Sequence, residues 1–231
     1  MGEIDTREHG RKLAAEFIGA FALIFVGAGA IIQTGGGNLI AIAVAHGLAI
    51  ALLVSSLGHI SGGLFNPALT IGLWATRRLD TVTTVAYIIA QLLGAVVAAL
   101  ALVLLFPEAL REAVALGTPL LGRGIDFAQG VILEAIATFF LMLAVFGTAL
   151  DPRGPKLGGF GIGLILTMDI LAIGTLTGAS MNPARTFGPA LVGGEWADHL
   201  VYWIGPIIGA VVAALVYHYL FAEEEMEASD A

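Results

Sequence analysis

The sequence has no cysteine, and charged residues make up only 12% of its 231 positions. The lack of cysteine excludes disulfide bonds, although it does not identify the compartment. Basic residues are outnumbered, and the formal net charge of −8 argues against nucleic acid as a partner. The five histidines show no ligand spacing, and no nucleophile with a neighbouring base and no phosphate-binding loop is evident. We therefore expect no metal site, no cofactor, no catalytic residue and no enzymatic activity.

Hydrophobic residues are abundant, whereas charged residues are few. They make up 58% of the chain, the mean hydropathy is +0.94 and 31 residues are glycine, which is typical of a polytopic membrane protein. Apolar runs near the roughly 20 residues that a membrane-spanning helix needs predict six spans. These are residues 13–33, 39–58, 81–105, 129–149, 160–177 and 200–221. We expect a single domain at 13–221, between an N-terminal tail at 1–12 and an acidic C-terminal tail at 222–231.

One tripeptide occurs twice, outside the six predicted spans. Its copies are Asn66-Pro67-Ala68 and Asn182-Pro183-Ala184. Asparagine is a good N-cap and proline is tolerated at the first helical position, so each copy predicts the start of a helix. The apolar stretches that begin there, 66–76 and 182–192, are about half the length needed to cross the bilayer. Because non-helical backbone at membrane depth must be buried or solvated, the copies predict half-helices that border a transport pathway.

The two halves of the chain repeat one another. The stretch at 94–100 is identical to that at 209–215, and the offset between matching positions stays between 115 and 118 residues. The repeats extend over about 13–105 and 129–221, and a loop at 106–128 joins them. Each half contains three spans, an odd number, so the second half must be inverted relative to the first. The half-helices then enter from opposite faces, and their positive N-termini meet near the midplane and oppose a cation.

The basic residues predict the orientation, because cytoplasmic loops carry the excess of Lys and Arg. Seven of the ten lie in three segments that six spans place on one side. They are Arg7, Arg11, Lys12, Arg77, Arg78, Arg153 and Lys156. Both termini are therefore expected to be cytoplasmic and the loop at 106–128 to lie outside. Short loops and no evident targeting segment favour the cytoplasmic (plasma) membrane for this integral membrane protein.

The sequence resembles the aquaporins of the major intrinsic protein family over nearly its full length. The resemblance rests on the doubled Asn-Pro-Ala, on Gly58-His59-Ile60-Ser61-Gly62 before the first copy and on Asn182-Pro183-Ala184-Arg185 in the second. Glu16 and Glu134, early in the first and fourth spans, complete it. The resemblance implies an all-α membrane protein, an aquaporin-like bundle in which six transmembrane helices and two re-entrant half-helices form inverted repeats. It also implies a pore in each protomer and a homotetramer.

The resemblance further implies roles for buried residues around the half-helices. Glu16 and Glu134 are expected to accept hydrogen bonds from the loops behind the half-helices. We expect His59 to support the first of these loops rather than to bind solute. Asp169 lies in the fifth span, and the sequence leaves open whether it bonds to a neighbouring helix or polarises the pore.

The family has a narrow selectivity filter, whose positions can be located in this sequence by their distance from the two tripeptides. It comprises His46, Ile170, Ala179 and Arg185. Orthodox water channels in this family usually have phenylalanine at the first of these positions and histidine at the second. The quartet found here looks like that of plant tonoplast intrinsic proteins, whose filter tends to be wider and to pass ammonia or urea in addition to water. The filter thus favours vacuolar relatives, whereas the short loops favour the cytoplasmic membrane. The outer-loop histidine of their ammonia-permeable members has no counterpart at 106–128, and Thr186 stands where glycerol facilitators carry aspartate.

The resemblance implies a passive water channel. In such a pore Asn66 and Asn182 offer amide donors to passing oxygens, while Arg185 repels cations and narrows one mouth. The positive potential of Arg185 and of the two helix ends also opposes an excess proton. We expect water and the lipid bilayer as partners, together with small neutral solutes such as ammonia, urea or glycerol.

Two other classes of protein remain open. An ion-coupled secondary transporter also uses broken helices in inverted repeats, but it needs midplane groups that bind and release ions, and asparagines stand there instead. A non-conducting structural membrane protein could keep the same architecture. A bulky plug in the filter would favour that alternative, and neither Ala179 nor Ile170 looks like one. Osmotic flow that needs no ion gradient would separate a channel from a carrier.

Overall fold

The computed structural model describes residues 6–222, which form helices α1 to α9 in chain order and contain no strand. Six of these helices are long and apolar enough to cross a membrane. They are α1 Thr6–Thr34, α2 Leu39–Ser61, α4 Thr81–Leu105, α6 Phe127–Val145, α7 Gly159–Thr177 and α9 Val201–Val216. A π-helical turn continues α6 over Phe146–Leu150 and α9 over Tyr217–Phe221. All six predicted spans are confirmed as helices, and the protein is an integral membrane protein. The charged part of the predicted acidic tail lies outside the described residues.

The two tripeptides begin the half-helices α3 (Pro67–Ala75) and α8 (Pro183–Gly193). In each copy the asparagine is the N-cap, in extended backbone, and its side-chain oxygen accepts the alanine N–H at 2.9 Å. Proline occupies the first helical position, where no N–H is needed. The half-helices contain 9 and 11 residues, so at a rise of about 1.5 Å per residue each spans roughly half of the bilayer core.

The structure differs from the sequence prediction at the first helix and in the loop at 106–128. Helix α1 begins at Thr6 and includes much of the predicted tail, because Glu8 and Lys12 form an i, i+4 ion pair at 2.7 Å beyond the apolar run. The loop contains α5 (Glu108–Glu112) and a 3₁₀ turn at Ala115–Gly117. Hydropathy marks only the apolar part of a helix, and elements this short give no periodic signal.

Glycines let each half-helix pack against a span of the opposite repeat. Helix α3 lies on α9, where a Cβ added at Gly72 would stand 3.1 Å from the carbonyl oxygen of Ala210. Helix α8 lies on α4, where a Cβ added at Gly188 would stand 2.4 Å from the carbonyl oxygen of Ala95. Small residues permit such close approach between helices in lipid. Because each half-helix packs on a span of the other repeat, these contacts hold the two repeats together around the N-termini of the half-helices.

Candidate functional site

Glu16 holds the loop that precedes α3. The carboxylate is fully buried in α1, and its Oε1 accepts from the Ser61 hydroxyl at 2.6 Å and from the Leu64 N–H at 3.1 Å. Its Oε2 accepts from the Phe65 N–H and from the Gln91 side-chain amide, both at 2.7 Å. Four donors thus surround one carboxylate, which satisfies loop N–H groups that no helix satisfies.

Glu134 holds the loop that precedes α8 in the same way. It is fully buried in α6, and its Oε1 accepts from the Thr177 hydroxyl at 2.7 Å and from the Ser180 N–H at 2.9 Å. Its Oε2 accepts from the Met181 N–H at 2.6 Å. Both glutamates therefore lie behind the loops, in the places that the resemblance predicts.

Two buried tyrosines repeat the arrangement at the helix ends that lead into the loops. The hydroxyl of Tyr87 donates to the Ser61 carbonyl at 3.0 Å, and that of Tyr202 donates to the Thr177 carbonyl at 2.9 Å. These carbonyls belong to the last residues of α2 and α7, where a helix leaves its final carbonyls without a helical partner. The tyrosines thereby fix the point at which each loop begins.

The two asparagines are each bonded to the opposite loop. Asn66 Nδ2 donates to the Met181 carbonyl at 2.8 Å, and Asn182 Nδ2 donates to the Phe65 carbonyl at 2.9 Å. Each side-chain oxygen caps its own half-helix, so one N–H of each amide is left over. Both asparagines are buried and line the same cavity. The N-termini of α3 and α8 therefore meet there, each with one amide donor available to an oxygen in the cavity.

The residues that accept these bonds lie in left-handed backbone. Phe65 has φ of 50° and Met181 has φ of 52°. For residues other than glycine this region costs about 1–2 kcal/mol each. The cost is offset because a glutamate holds the N–H of each residue and the opposite asparagine holds its carbonyl. Strain of this kind is typical of functional sites, where the surroundings over-determine the backbone.

A narrow cavity of about 30 Å³ lies against both asparagines, with room for about two water molecules. Its wall is mainly apolar. The apolar side chains are Leu23, Ile50, Val54, Leu64, Leu69, Leu141, Val145, Ile162, Leu166 and Ala179. The polar ones are His46, Asn66, Ser180, Asn182 and Arg185. A few convergent polar groups on an apolar wall are typical of a selective pore or binding site.

Three of the four predicted filter residues lie together on this wall. We call His46, Ala179 and Arg185 the arginine end of the cavity. Arg185 is buried and its Nη1 donates to the Gly117 carbonyl at 2.7 Å, while no carboxylate forms an ion pair with it among residues 6–222. Its charge is therefore held in place without being neutralised by contact. The Nδ1 of His46 lies 2.8 Å from the Ile42 carbonyl, which leaves Nε2 as an acceptor when the ring is neutral.

Ile170, the fourth predicted filter residue, is not among the residues that line this cavity. It is 2% exposed and packs in the hydrophobic core, one helical turn beyond Leu166, which does line the cavity. Its burial does not separate it from Ala179, which is equally buried and lines the cavity, so Ile170 remains a predicted filter residue. The neighbouring Asp169 is buried, and its Oδ2 has no hydrogen-bond partner in the described part of the chain. The interhelical bond considered for Asp169 is therefore not formed at this atom.

The repeat gives each filter position a counterpart at the other end of the cavity. The counterparts of His46, Ile170, Ala179 and Arg185 are Ile162, Val54, Gly63 and Leu69. All four line the cavity, and we call them the leucine end. On α2, Val54 lies two helical turns beyond His46, roughly 12 Å away. Leucine takes the place of arginine and isoleucine that of histidine, so the leucine end has neither a charge nor a side-chain donor.

Support for the first loop comes from Gln91 rather than from His59. Gln91 is fully buried in α4, and besides Glu16 its amide contacts the Thr70 hydroxyl at 3.0 Å. His59 is exposed near the end of α2, and its ring makes no hydrogen bond within the described residues. Sequence reasoning missed Gln91, although a glutamine in an apolar span is a signal of a buried polar contact.

Comparison with known proteins agrees with this geometry. The sequence profile of the family described as Major intrinsic protein matches residues 3–217. The chain is 48% identical to Aquaporin TIP4-4 of Zea mays over 185 residues, which cover 78% of this chain and 71% of that protein. It is 40% identical to Aquaporin-4 of Mus musculus over 185 residues, which cover 79% of this chain and 57% of that protein.

The X-ray structure of the aquaglyceroporin from Plasmodium falciparum superposes with a TM-score of 0.79. The match covers 95% of this chain and 99% of that one at 23% identity, so it shows a shared fold. The family profile and the identity to its relatives go further than the fold. The chain belongs to the major intrinsic protein family, in which it is similar to the TIP aquaporins.

Proposed function

We propose that the protein is a passive water channel that excludes ions and protons. The observation that carries the proposal is the pair of amide donors that Asn66 and Asn182 hold against one narrow, mainly apolar cavity. Membership of a family whose matched relatives are named as aquaporins supports a channel and not an enzyme. We assign the pore to the Asn-Pro-Ala copies and the filter to the arginine end together with Ile170, within one channel domain at 13–221.

The asparagines orient water at the centre of the cavity. A water molecule there can accept one hydrogen bond from the free N–H of each amide. Neither amide can turn away, because its oxygen caps its own half-helix and its other N–H is bonded to the opposite loop. A water molecule held through its oxygen by two donors directs both of its hydrogens outward. This interrupts the uniformly oriented chain of hydrogen bonds along which an excess proton would move.

Positive charge beside the cavity opposes cations. The N-termini of α3 and α8 each carry the equivalent of about half an elementary charge. Arg185 adds a full charge at the arginine end, where no contacting carboxylate offsets it among the described residues. An ion that entered would also lose hydration that the apolar wall does not replace. Water loses less, because the two amides replace part of its hydrogen bonding.

The test of the electrostatic part is Arg185→Val in proteoliposomes. Stopped-flow light scattering in sucrose measures water flux, and an internal pH dye measures proton flux. We expect the variant to leak protons and to admit larger solutes, since the change removes a buried charge and widens the arginine end. Leu69→Val is the matched control, because it changes the equivalent residue of the leucine end and removes no charge. Unchanged proton flux in Arg185→Val would contradict this part of the proposal.

We extend the proposal to small neutral solutes of the size of ammonia, urea and glycerol. The support is the small side chain of Ala179, which leaves His46 and Arg185 as the bulky groups of the arginine end. In the same liposomes, His46→Phe should abolish urea and ammonia flux and keep water flux. If the wild type passes only water and the substitution changes nothing, the extension fails and the water channel stands.

The buried glutamates favour a channel over an ion-coupled carrier. Every oxygen of Glu16 and Glu134 accepts at least one hydrogen bond from a loop that precedes a half-helix. A carboxylate that bound and released a coupling ion would have to release that loop in each cycle. Uptake that follows a proton gradient would favour the carrier, whereas osmotic flow without a gradient favours the channel.

We propose a homotetramer in the cytoplasmic (plasma) membrane, with both termini cytoplasmic. The resemblance supports the tetramer, and the positions of Lys and Arg support the orientation. The mass of the protein in lipid nanodiscs tests the first point, and a monomeric mass would contradict it. Protease access to an N-terminal tag in sealed right-side-out vesicles tests the second, and cleavage from outside would contradict it.

A further inference from the structure

We infer that Gly27 sets the width of the arginine end, because the ring of His46 rests on its backbone. A Cβ added at Gly27 would stand 2.2 Å from Nε2, 2.5 Å from Cδ2 and 2.7 Å from Cε1 of that ring. These distances are well below van der Waals contact, so no side chain fits at position 27 while the ring keeps its place. The inference rests on the proposed channel function and adds a residue that positions the filter.

Position 27 lies on the same face of α1 as the cavity-lining Leu23, with the His46 ring against it. On α1 it follows Leu23 by one helical turn, and Leu23 lines the cavity. The repeat makes Leu141 the counterpart of Leu23 and Val145 the counterpart of Gly27, by the same offset that relates Glu16 to Glu134. Leu141 and Val145 both line the cavity. In the second repeat a valine side chain thus occupies the wall, and in the first repeat the absence of a side chain leaves that room to His46.

The ring of His46 is bounded by two helices. Its Nδ1 is bonded to the Ile42 carbonyl at 2.8 Å, which fixes the ring to its own helix, and Gly27 bounds it from α1. His46 lines the cavity together with Ala179 and Arg185, so the cavity is the free volume beside the ring. We expect a methyl group at position 27 to push the ring away from α1 and into this volume. Gly27 keeps the histidine back from the path of the solute.

The experiment compares Gly27→Ala with Gly29→Ala in proteoliposomes, by stopped-flow water flux per incorporated protein. The two substitutions add the same methyl group to the same helix. At Gly29 the nearest atom to the new Cβ would be in the Phe106 ring at 3.5 Å, an ordinary contact. We expect Gly27→Ala to lower water permeability roughly tenfold, which corresponds to about 1.36 kcal/mol in barrier height. Gly29→Ala should match the wild type, and equal fluxes of the two variants would overturn the inference.

Removal of the ring provides the decisive second comparison. In a His46→Ala background, Gly27→Ala should no longer lower water flux, because the group that the methyl displaces is gone. Gly27→Val in that background should again exclude glycerol that His46→Ala alone admits, since a valine there would line the wall as Val145 does. An equal loss in both backgrounds, or no effect of the valine on glycerol flux, would overturn the inference even if Gly27→Ala fails to fold. Absence of water flux in the wild type would instead overturn the proposed function.

Discussion

At the arginine end of the cavity a buried guanidinium and a histidine lie beside an alanine, whereas the matching positions of the leucine end carry leucine, isoleucine and glycine. The half-helices behind the two ends begin with the same tripeptide and the same cap. One end thus combines a buried charge with polar side chains, and the matching positions of the other end carry apolar side chains and glycine. Selection by charge and hydrogen bonding needs a single constriction, so only one copy has to carry it.

The loops that precede α3 and α8 differ far less from each other than the two ends of the cavity do. In both repeats a buried glutamate binds the loop, a tyrosine binds the preceding helix end and the residue before the asparagine has a left-handed φ. Gln91 is the exception, because the repeat places Pro206 opposite it and proline has no side-chain donor. Holding a half-helix in the membrane thus constrains both repeats alike, whereas the residues that line the two ends of the cavity differ.

The largest effect is expected when the arginine end is made to copy the leucine end. Arg185→Leu removes a unit charge that, at about 4 Å and an effective dielectric constant of 20, is worth roughly 4 kcal/mol. Proton permeability should therefore rise by up to about a thousandfold. An internal pH dye in proteoliposomes measures it, with Arg123→Leu as control because that arginine is exposed. Proton flux equal in the two variants would show that the ends do not differ in the way described.

The next effect concerns the two loop glutamates. Each oxygen of Glu16 accepts from two donors, so in Glu16→Gln the new N–H₂ group takes an acceptor away from two donors, whichever way the amide turns. In Glu134→Gln the N–H₂ group can replace Oε2, which accepts only from the Met181 N–H. At about 1–3 kcal/mol for each unsatisfied group, we expect losses of about 2–6 kcal/mol for Glu16→Gln and half of that for Glu134→Gln.

Thermal unfolding followed by tryptophan fluorescence measures both losses. Glu8→Gln is the control, since Glu8 is exposed and its ion pair with Lys12 contributes no more than about 1 kcal/mol. A larger loss for Glu134→Gln than for Glu16→Gln would contradict the account of the two loops.

A smaller effect is expected from Gln91, which the first repeat has and the second lacks. Gln91→Leu removes a hydrogen bond to a buried carboxylate, worth about 1.5–3 kcal/mol. Water flux should persist, because the equivalent loop before α8 is held without a glutamine. Thermal unfolding of Gln91→Leu, Glu16→Gln and the double variant tests this, and the two losses should not add. Additive losses would mean that Gln91 does not act through Glu16.

The smallest effect is expected from an ion pair beside a surface pocket, which shares the lining residue Val54 with the leucine end. There Arg153 binds Asp151 through Nε at 2.9 Å and Nη2 at 2.7 Å, which lowers the pKa of Asp151 well below its usual value. Because the pKa of Asp151 is lower in the folded than in the unfolded state, the carboxylate stabilises the fold at pH values above the unfolded pKa of about 3.9. This stabilisation is lost as the pH falls toward the folded pKa. Asp151→Asn should therefore cost about 1 kcal/mol near neutral pH.

Melting temperatures of the wild type and Asp151→Asn across the pH range measure this contribution. The difference between them should be constant from roughly pH 5 to 8 and should shrink below about pH 4. A difference that grows as the pH falls would contradict the assignment.

The sequence predicted the elements that depend on local signals. Asparagine before proline is a local cap signal, so the starts of α3 and α8 were predicted to the residue, and long apolar runs were sufficient for the spans. The placement of Glu16 and Glu134 behind the loops followed from the family resemblance. The start of α1 was missed because Glu8 and Lys12 extend it outside the apolar run.

The rest of the site depends on contacts between distant residues, which one sequence does not contain. The bonds of Asn66 to Met181 and of Asn182 to Phe65 join the two halves, and no periodicity or cap signal encodes them. Ile170 is placed by spacing alone, and spacing does not tell which side chains of α7 line the cavity. Gly27 is one of 31 glycines, and only the fold brings the His46 ring against it.

Stopped-flow light scattering of wild-type proteoliposomes that contain a pH dye tests the central claim most directly, because one sample reports water and protons together. The vesicles are challenged with sucrose in the absence of any ion gradient, beside empty vesicles of the same lipid. We predict that they shrink faster than empty vesicles while their proton permeability stays at the level of the lipid. Shrinkage at the rate of empty vesicles, or water flux accompanied by a proton leak, would contradict a channel that passes water and excludes protons.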